Sequence, residues 1–393
     1  MISRVGNECC GCAACANICP KHCIRMTAGK EGFLYPEIQT DNCINCGVCE
    51  KACPVLAEKT WLKTDKKHAF GVMIKDQDIL MKSSSGGLFT ALAEAVFEKG
   101  GCVFGATFTA DFSSVHHVMV ENAKELCMLR GSKYMQSDLD DCYPAVKREL
   151  ERDRWVLFTG TPCQIAGLIC FLGRDFERLI CADVICHGTP SPMLWHHYLK
   201  SIEEQMGGRA SAVNFRDKTF GWKKYGLSIS GEGNQVYYSP MKENPYLRMF
   251  LKNICLRESC YHCRVKEKGA FSDITMGDLW GVEQILPEID CSRGVSLAVI
   301  HTEKGRALFE HAENNMNVID VDYEKAVSHN VSMTNSVRRP TERDRFFSDL
   351  KKLSWNRLEK RYLEDKLSTK VRRKISASPV GALKRKMLHC LRR

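Results

Sequence analysis

A chain of 393 residues, 44% apolar and 26% charged, is long enough for two or three domains with their own cores, and its composition excludes wholesale disorder. No apolar run approaches the ~20 residues that span a bilayer, and the opening MISRVGNECC carries no apolar signal segment. The reading is therefore a cytoplasmic protein whose 22 cysteines serve metal or redox chemistry, not a disulfide framework. The net charge of +10 is concentrated: residues 351–393 hold 15 Lys or Arg against 3 Asp or Glu, which leaves −2 for residues 1–350 and gives no charge argument for nucleic-acid binding by the body.

In chain order, CCGCAACANICP (residues 9–20) and CINCGVCEKACP (43–54) come first. Cys9, Cys12, Cys15 and Cys19 read C-x2-C-x2-C-x3-C before Pro20, and Cys43, Cys46, Cys49 and Cys53 repeat it before Pro54. In the two-cluster ferredoxin run, three thiolates of a tight loop grip one 4Fe–4S cluster and the fourth crosses to the other. The expected sets are Cys9, Cys12, Cys15 and Cys53 for one cluster, and Cys43, Cys46, Cys49 and Cys19 for the second. Zinc ribbons use pairs of C-x2-C, not two runs of four with C-P endings. Between the runs, GKEGFLYPEIQTDN predicts a hairpin. Cys10 and Cys23 fall outside the register and are read as packing near the clusters.

Polar AEKTWLKTDK (57–66) predicts a linker, HAFGVMI (68–74) a strand, and CVFGATF (102–108) another. Between these strands, SSSGG precedes an amphipathic helix with Leu88, Leu92, Val96 and Phe97 on one face. Ser83, Ser84 and Ser85 supply capping oxygens, and Gly86 and Gly87 allow close backbone approach, a natural place for an anion. WVLFTGTPCQIAGL (155–168) is a strand, a Gly/Pro turn holding Cys163 and a helix start. LICADVICHGTPSP (179–192) repeats the plan with Cys186. CLRESCYHCR (255–264) adds the C-x2-C pair Cys260 and Cys263. Four thiolates suffice for a third cluster; a zinc site or buried structural cysteines use the same residues. His116 and His117 read as ordinary strand residues. NFRDKTFGWKKYGLSIS (214–230) is either a strand pair with a solvated face or a segment that meets an anionic or planar substrate.

The motifs SSSGGLFTAL, GSKYMQS (131–137), GTPCQ (160–164), VICHGTPSP and SCYHCRVKEKGAFSDITMGDLWG (259–281) together resemble the family of beta subunits of coenzyme F420 hydrogenases and dehydrogenases, which also includes tetrapyrrole reductases of the chlorophyll pathway. The resemblance covers about two-thirds of the chain, and a fused two-cluster ferredoxin is found in members of that family. It implies a flavin, usually FAD, beside a further 4Fe–4S cluster. Cys163, Cys186, Cys260 and Cys263 are the implied ligands, with Cys255 the rival for one place. Ser84, Ser85, Gly86 and Gly87 would lie along the flavin or its phosphates, and Lys133, Tyr134, Asp278 and Trp280 near its ring or diphosphate. His187 is a candidate proton donor.

The expected architecture is an α+β ferredoxin-like dicluster module (1–60) fused to an α/β flavin and iron–sulfur domain, in an N-terminal part (66–150) and a C-terminal part (151–325), followed by a basic helical tail (338–393). The expected function is an iron–sulfur flavoprotein oxidoreductase that exchanges electrons with a redox partner such as ferredoxin and acts on a small organic substrate. The alternative is a non-catalytic electron-transfer subunit. The tail ends in ALKRKMLHCLRR, a candidate docking helix for a membrane surface or a protein, and it offers few aromatic platforms for nucleic acid.

Overall fold

Each cysteine run folds as a loop with two left-handed residues followed by a short helix. Gly11 (φ +74°) and Ala13 (φ +57°) in the first run correspond to Asn45 (φ +53°) and Gly47 (φ +74°) in the second. The helices Ala14–Ile18 and Val48–Lys51 follow. Left-handed residues among right-handed ones turn successive N–H groups inward, the backbone form that suits iron–sulfur and phosphate ligands. Between the runs, β1 (Ile24–Ala28) and β2 (Leu34–Ile38) pair antiparallel, so the predicted hairpin forms, with its first strand upstream of the predicted segment. The computed structural model describes residues 2–57, 68–233 and 235–364; the predicted linker lies almost wholly outside the described residues.

The strands of the body are β3 (His68–Ile74), β4 (Cys102–Phe108), β5 (Val115–Val120), β6 (Ser137–Asp138), β7 (Val156–Gly160), β8 (Leu179–Val184), β9 (Ala210–Asp217), β10 (Gly226–Gly231), β11 (Val236–Pro240), β12 (Ile274–Asp278), β13 (Ser296–Ile300) and β14 (Met316–Val321). Among the described residues the main sheet runs β14-β3-β13-β12-β8-β7-β4-β5-β6, and β11-β10-β9 form a second, antiparallel sheet. At the centre β12, β8, β7 and β4 are parallel neighbours. Strands buried on both faces need apolar residues without alternation, which is why VLFTG and LICAD read as continuous runs.

Three cores cover the two faces among the described residues, the smallest packing Ala69, Leu297 and Val299 with Trp222, Leu279 and Val282. On one face, the helices Leu88–Glu98 and Glu303–Ala312 pack on Val72, Val103, Leu157, Ile180, Ile274 and Ala298. The predicted helical face is correct: Leu88, Leu92 and Val96 are buried, and Phe97 is partly so. On the other face, the helices Cys142–Glu151 and Pro162–Leu172 pack on Phe104, Val156, Phe158, Leu179 and Cys181, together with Cys12, Ala13 and Ala14 of the dicluster module. At roughly 1.5–3 kcal/mol per buried large apolar side chain, this shared core is a substantial bond between module and body.

Gly167 marks one close approach of module and body. A β-carbon there would stand 2.8 Å from Cys12 Cβ, 2.9 Å from its Sγ and 2.8 Å from the Tyr143 hydroxyl. Gly167→Ala is expected to cost about 1–3 kcal/mol by overpacking and to loosen the module; a thermal melt with an iron assay reads both effects.

Two buried arginines complete the attachment. Arg257 Nε donates to the carbonyl of Cys9 (2.6 Å) and Nη2 to that of Leu34 (2.9 Å), with its guanidinium over the Tyr35 ring. Arg343 pairs with Glu31 of the hairpin turn (2.9 and 2.6 Å) and donates from Nε to the Leu256 carbonyl.

Residues 348–393 form a separate unit. Its described part holds the helix Trp355–Leu363, in which Arg361 and Tyr362 both donate to Asp349. The docking helix predicted at 382–393 lies outside the described residues. Among the described residues no helix is long and apolar enough to cross a membrane.

Candidate functional site

The cysteines fall into three groups. Cys9, Cys12, Cys15 and Cys53, the set predicted from spacing, line one apolar cavity with Ile2, Val5, Met26 and Val55. Burial, then repulsion from Cys9 and Cys53, pushes the Cys15 thiol up to about 12. Bare thiolates are thus disfavoured there, and the positive charge of bound iron would reverse the balance. Three cysteines of the second predicted set lie nearer solvent, Cys46 exposed and Cys43 and Cys49 half-buried, while the fourth, Cys19, is buried. Cys23 packs beside it, its Sγ 3.4 Å from that of Cys19. Among the described residues no three His, Cys, Asp or Glu side chains are gathered tightly enough for a single metal ion.

The third group forms at the carboxyl ends of the parallel strands. Cys163 lies in the first turn of the helix Pro162–Leu172, next to the N-cap Thr161. The Thr161 N–H donates to Gln164 Oε1 (2.9 Å) in a capping box. Cys186 follows β8, and its carbonyl accepts from Lys266 Nζ (2.6 Å). Burial, then the facing thiols of Cys260, Cys163 and Cys263, raises the Cys186 pKa. Burial together with Cys163 and Cys263 pushes Cys260 up to about 11, against a hydrogen bond that its Sγ accepts from Thr189 N–H (3.4 Å). The structure thus brings the four implied ligands together. Cys255 is buried elsewhere, its thiol near Arg343, Tyr246 and Tyr261.

Against this third group opens a cavity of about 620 Å³, within the range of cofactor pockets. Ser84, Ser85, Gly87, Lys133, Tyr134, Asp278, Trp280, His187, Cys163 and Cys186 line it. Gly86 does not. A β-carbon there would stand 2.1 Å from the Val72 carbonyl, and its N–H donates to Ser296 Oγ (2.9 Å), so this glycine lets the loop lie against the sheet. The serines do not cap the helix either. Its N-cap is Gly87 at φ +87°, while Ser83 bonds back to the Ile79 carbonyl, Ser84 accepts from Ser132, and Ser85 donates to the Val295 carbonyl.

Two predicted charges line the cavity but are already spent. Lys133 Nζ donates to the carbonyls of Leu129, Arg130 and Gly131 (3.0–3.2 Å), while burial pushes its pKa down to about 7. Asp278 accepts from Arg216 Nη1 (2.8 Å) and Nη2 (3.1 Å) and from Trp222 Nε1 (3.0 Å). Trp280 stacks on Trp222 with ring centroids 5.0 Å apart, and Tyr134 stacks on Phe250 at 5.1 Å. His187 is hydrogen-bonded at both ring nitrogens, Nε2 with Asn253 Oδ1 (2.6 Å) and Nδ1 with the Ser332 hydroxyl (3.3 Å), and burial lowers its pKa. Both ring nitrogens are occupied, which suits a wall residue better than a proton donor.

The free donors are ones that the sequence did not single out. The side chains of Arg216 and Gln136 line the cavity, and Arg216 Nε and Gln136 Nε2 within them are buried without a hydrogen-bond partner. A buried N–H without a partner costs roughly 1–3 kcal/mol, so two of them in one wall fit a ligand with carbonyl or phosphate oxygens. Arg216 comes from β9, inside the aromatic and basic segment 214–230. That segment does form a strand pair, and it also contributes Arg216 and Tyr225 to the cavity.

His117 is a correction. It lies on β5, but its ring is buried in the cavity wall: Nε2–H donates to the Thr159 carbonyl (3.1 Å) and Nδ1 accepts from the Ser137 hydroxyl (2.7 Å). Burial pushes its pKa down to about 4. The unfolded chain takes up this proton near 6.5 and the folded chain only near 4, so lowering the pH through that window removes about 3 kcal/mol of stability. Asp183, pushed up to about 7 by burial, works in the opposite direction. The effect is therefore read as a difference: between pH 7 and pH 4 the wild type is expected to lose about 3 kcal/mol more than His117→Asn.

With this geometry in view, comparison with known proteins is specific. Residues 8–57 match the 4Fe-4S dicluster domain, and residues 153–325 match the model for the C terminus of the coenzyme F420 hydrogenase/dehydrogenase beta subunit. Residues 153–325 thus carry the C-terminal region of this family of beta subunits. The chain is 24% identical over 328 residues to the F subunit of the F(420)H(2) dehydrogenase of Methanosarcina mazei, covering 79% of this chain and 84% of the relative. It is 30% identical over 165 residues to the coenzyme F420-dependent sulfite reductase of Methanocaldococcus jannaschii, covering 41% of this chain but 24% of that longer protein. Among solved structures, a chain of the F420-reducing NiFe hydrogenase complex from Methanosarcina barkeri aligns over 70% of this chain and 96% of its own length, with a TM-score of 0.43 and 17% identity.

Proposed function

We propose that this chain is an iron–sulfur flavoprotein oxidoreductase, with clusters at its three thiol groups and a flavin in the 620 Å³ cavity. The observation that carries the reading is the serial placement of the thiols. A solvent-near set contains Cys46 and Cys49, Cys49 acts on Cys15 of the buried set, and Cys12 of that set stands at the helix whose first turn holds Cys163 on the cavity wall. Clusters carry electrons singly, and a flavin exchanges them with an organic substrate that needs two. Cys9, Cys12, Cys15 and Cys53 would hold the first cluster, Cys19, Cys43, Cys46 and Cys49 the second, and Cys163, Cys186, Cys260 and Cys263 the third.

The residues of the cavity bind and orient. Arg216 Nε and Gln136 Nε2 supply donors to oxygen atoms of the bound group. Asp278 fixes the arginine in place, Trp222 Nε1 in turn donates to Asp278, and burial makes each hydrogen bond stronger than it would be in water. Trp280, Tyr134 and Tyr225 present aromatic surface. The apolar side chains of Val184, Leu251 and Val331, all exposed and all lining the cavity, form the lip through which a planar organic substrate would enter. Coenzyme F420, which the names of the relatives carry, is the first substrate to try.

The second reading is an electron-transfer subunit that feeds a partner, favoured by the subunit status in the name of the dehydrogenase relative. The test is turnover by the chain alone under anaerobic conditions. With reduced ferredoxin or dithionite, the enzyme reading predicts steady conversion of coenzyme F420 or another organic acceptor. Reduction that stops once the protein's own centres are filled would favour the subunit reading.

A further inference from the structure

The sheet does not build the rim of the cavity alone. His329, Asn330, Val331 and Ser332 line it, and Val331 is exposed there. These residues open the connection between the helices Tyr323–Ser328 and Arg343–Leu350, whose regular structure is the short turn Val331–Met333. Connections are commonly about 4–6 residues, and long ones without secondary structure of their own are often lids or binding loops. This one also lies beyond the matched family region, which ends at residue 325.

A segment outside helices and sheets is held by its anchors to the rest of the chain. At the cavity, the His329 ring packs on Gly281, where a β-carbon would stand 2.5 Å from it. Asn330 Nδ2 donates to the Ala326 carbonyl (2.9 Å), and the Ser332 hydroxyl is hydrogen-bonded to His187 Nδ1 (3.3 Å). Further on, the Cys263 N–H donates to Ser336 Oγ (2.9 Å). Lys266 Nζ, which also holds the Cys186 carbonyl, donates to that of Asn335 (3.1 Å). At the far end Arg339 pairs with Glu258 (2.8 Å), and Arg343 pairs with Glu31 of the module's hairpin turn (2.6 Å) and with Glu258 (3.0 Å). The segment thus runs from the cavity rim, past the third thiol group, to the dicluster module. Its two ends are not equally firm. The rim end rests on a ring contact and two single hydrogen bonds, whereas Arg343 is 2% exposed and grips Glu31 through both terminal nitrogens. Bidentate, charge-assisted pairs are the stronger kind, so the rim end opens first.

We propose that residues 329–342 form a strap that gates the cavity. Its rim end, His329 to Ser332, opens and closes the mouth, and its far end is latched to the dicluster module through Arg343 and Glu31. How firmly the module is seated then sets how readily the cavity opens. The strap itself goes beyond the flavin reading and does not depend on it.

The test is hydrogen exchange of the full chain, purified anaerobically, wild type against Arg343→Met and Glu31→Gln. Glu31→Gln removes the module's carboxylate and leaves Arg343 its pair with Glu258, so the fold is kept. In both variants, peptides covering 329–336 are expected to exchange about three- to tenfold faster, although the rim contacts themselves are untouched. Ser336→Ala, which removes the anchor between the two ends, is expected to act in the same direction. Faster exchange confined to 337–343, with the rim unchanged, would make latch and rim independent and overturn the proposal. Loss of iron in Glu31→Gln would show that the pair holds the module's own fold, and would overturn the latch. A second arm follows the release of bound flavin by the fluorescence of the free form. Release is expected to quicken by a similar factor in Arg343→Met, and an unmoved rate beside a faster-exchanging rim would overturn the gate. This arm alone rests on the flavin reading: a wild-type chain that holds no flavin would fail that reading, and the exchange arm would still decide the strap.

Discussion

Replacing Cys163 or Cys186 with Ser is expected to remove about four irons per chain and to abolish turnover of any organic substrate, while the iron of the dicluster module stays in place. The two groups of thiols draw on different parts of the chain. Cys163 and Cys186 sit at the carboxyl ends of β7 and β8, whereas the module's cysteines lie in the loops around the hairpin of β1 and β2. The attachment does not depend on either cysteine, because Arg257, Arg343 and the core around Cys12 and Gly167 hold the module. Iron and sulfide assays with EPR of the reduced protein read the result. Loss of all iron in either variant would mean that the third group is needed for the module to fold. Cys255→Ser is the matched control and is expected to keep its iron, since that thiol neighbours Arg343 and not the four.

Asp278→Ala carries the second large effect. Arg216 is 5% exposed, and Asp278 accepts from both of its terminal nitrogens. Burial opposes the charge on Arg216, and Asp278 beside it more than compensates, so its pKa is raised. Without the carboxylate a buried guanidinium has lost its counter-charge, and Trp222 Nε1 has lost its acceptor. Breaking such a pair from one side costs roughly 3–5 kcal/mol. The double variant Asp278→Ala/Arg216→Leu is expected to recover a large part of that loss, because the uncompensated charge goes with it, but not the ligand-binding function of the cavity. Thermal melts of the three variants give the stability side, and flavin retention gives the binding side. A single variant as stable as the wild type would show that water reaches Arg216.

How much of this was legible in the sequence follows from how local each signal is. The two cysteine runs encode their loops by spacing alone, and the repeated left-handed positions at Gly11 and Asn45 and at Ala13 and Gly47 are the backbone counterpart of that spacing. The parallel strands could be read because VLFTG and LICAD are buried on both faces. What could not be read is which charge has a partner. Lys133 and Asp278 were singled out as candidate binding groups, yet the first is absorbed by the carbonyls of its own turn and the second by an arginine 62 residues away. The donors left over, Arg216 Nε and Gln136 Nε2, are defined by what remains after those pairings, and no local pattern encodes that. SSSGG was read as a cap and is a tether, because its contacts are to Val295 and Ser296, 210 residues on. His117 looked like one residue of an alternating strand; its polar surroundings come from Ser137 and Thr159, on β6 and β7.

The central claim is that one chain carries three clusters and a flavin. The most direct measurement is the iron, acid-labile sulfide and flavin content of the full chain after anaerobic purification. The account predicts about twelve irons, about twelve sulfides and one flavin per chain. Eight irons with no flavin would contradict it, leaving a dicluster protein whose cavity serves some other ligand.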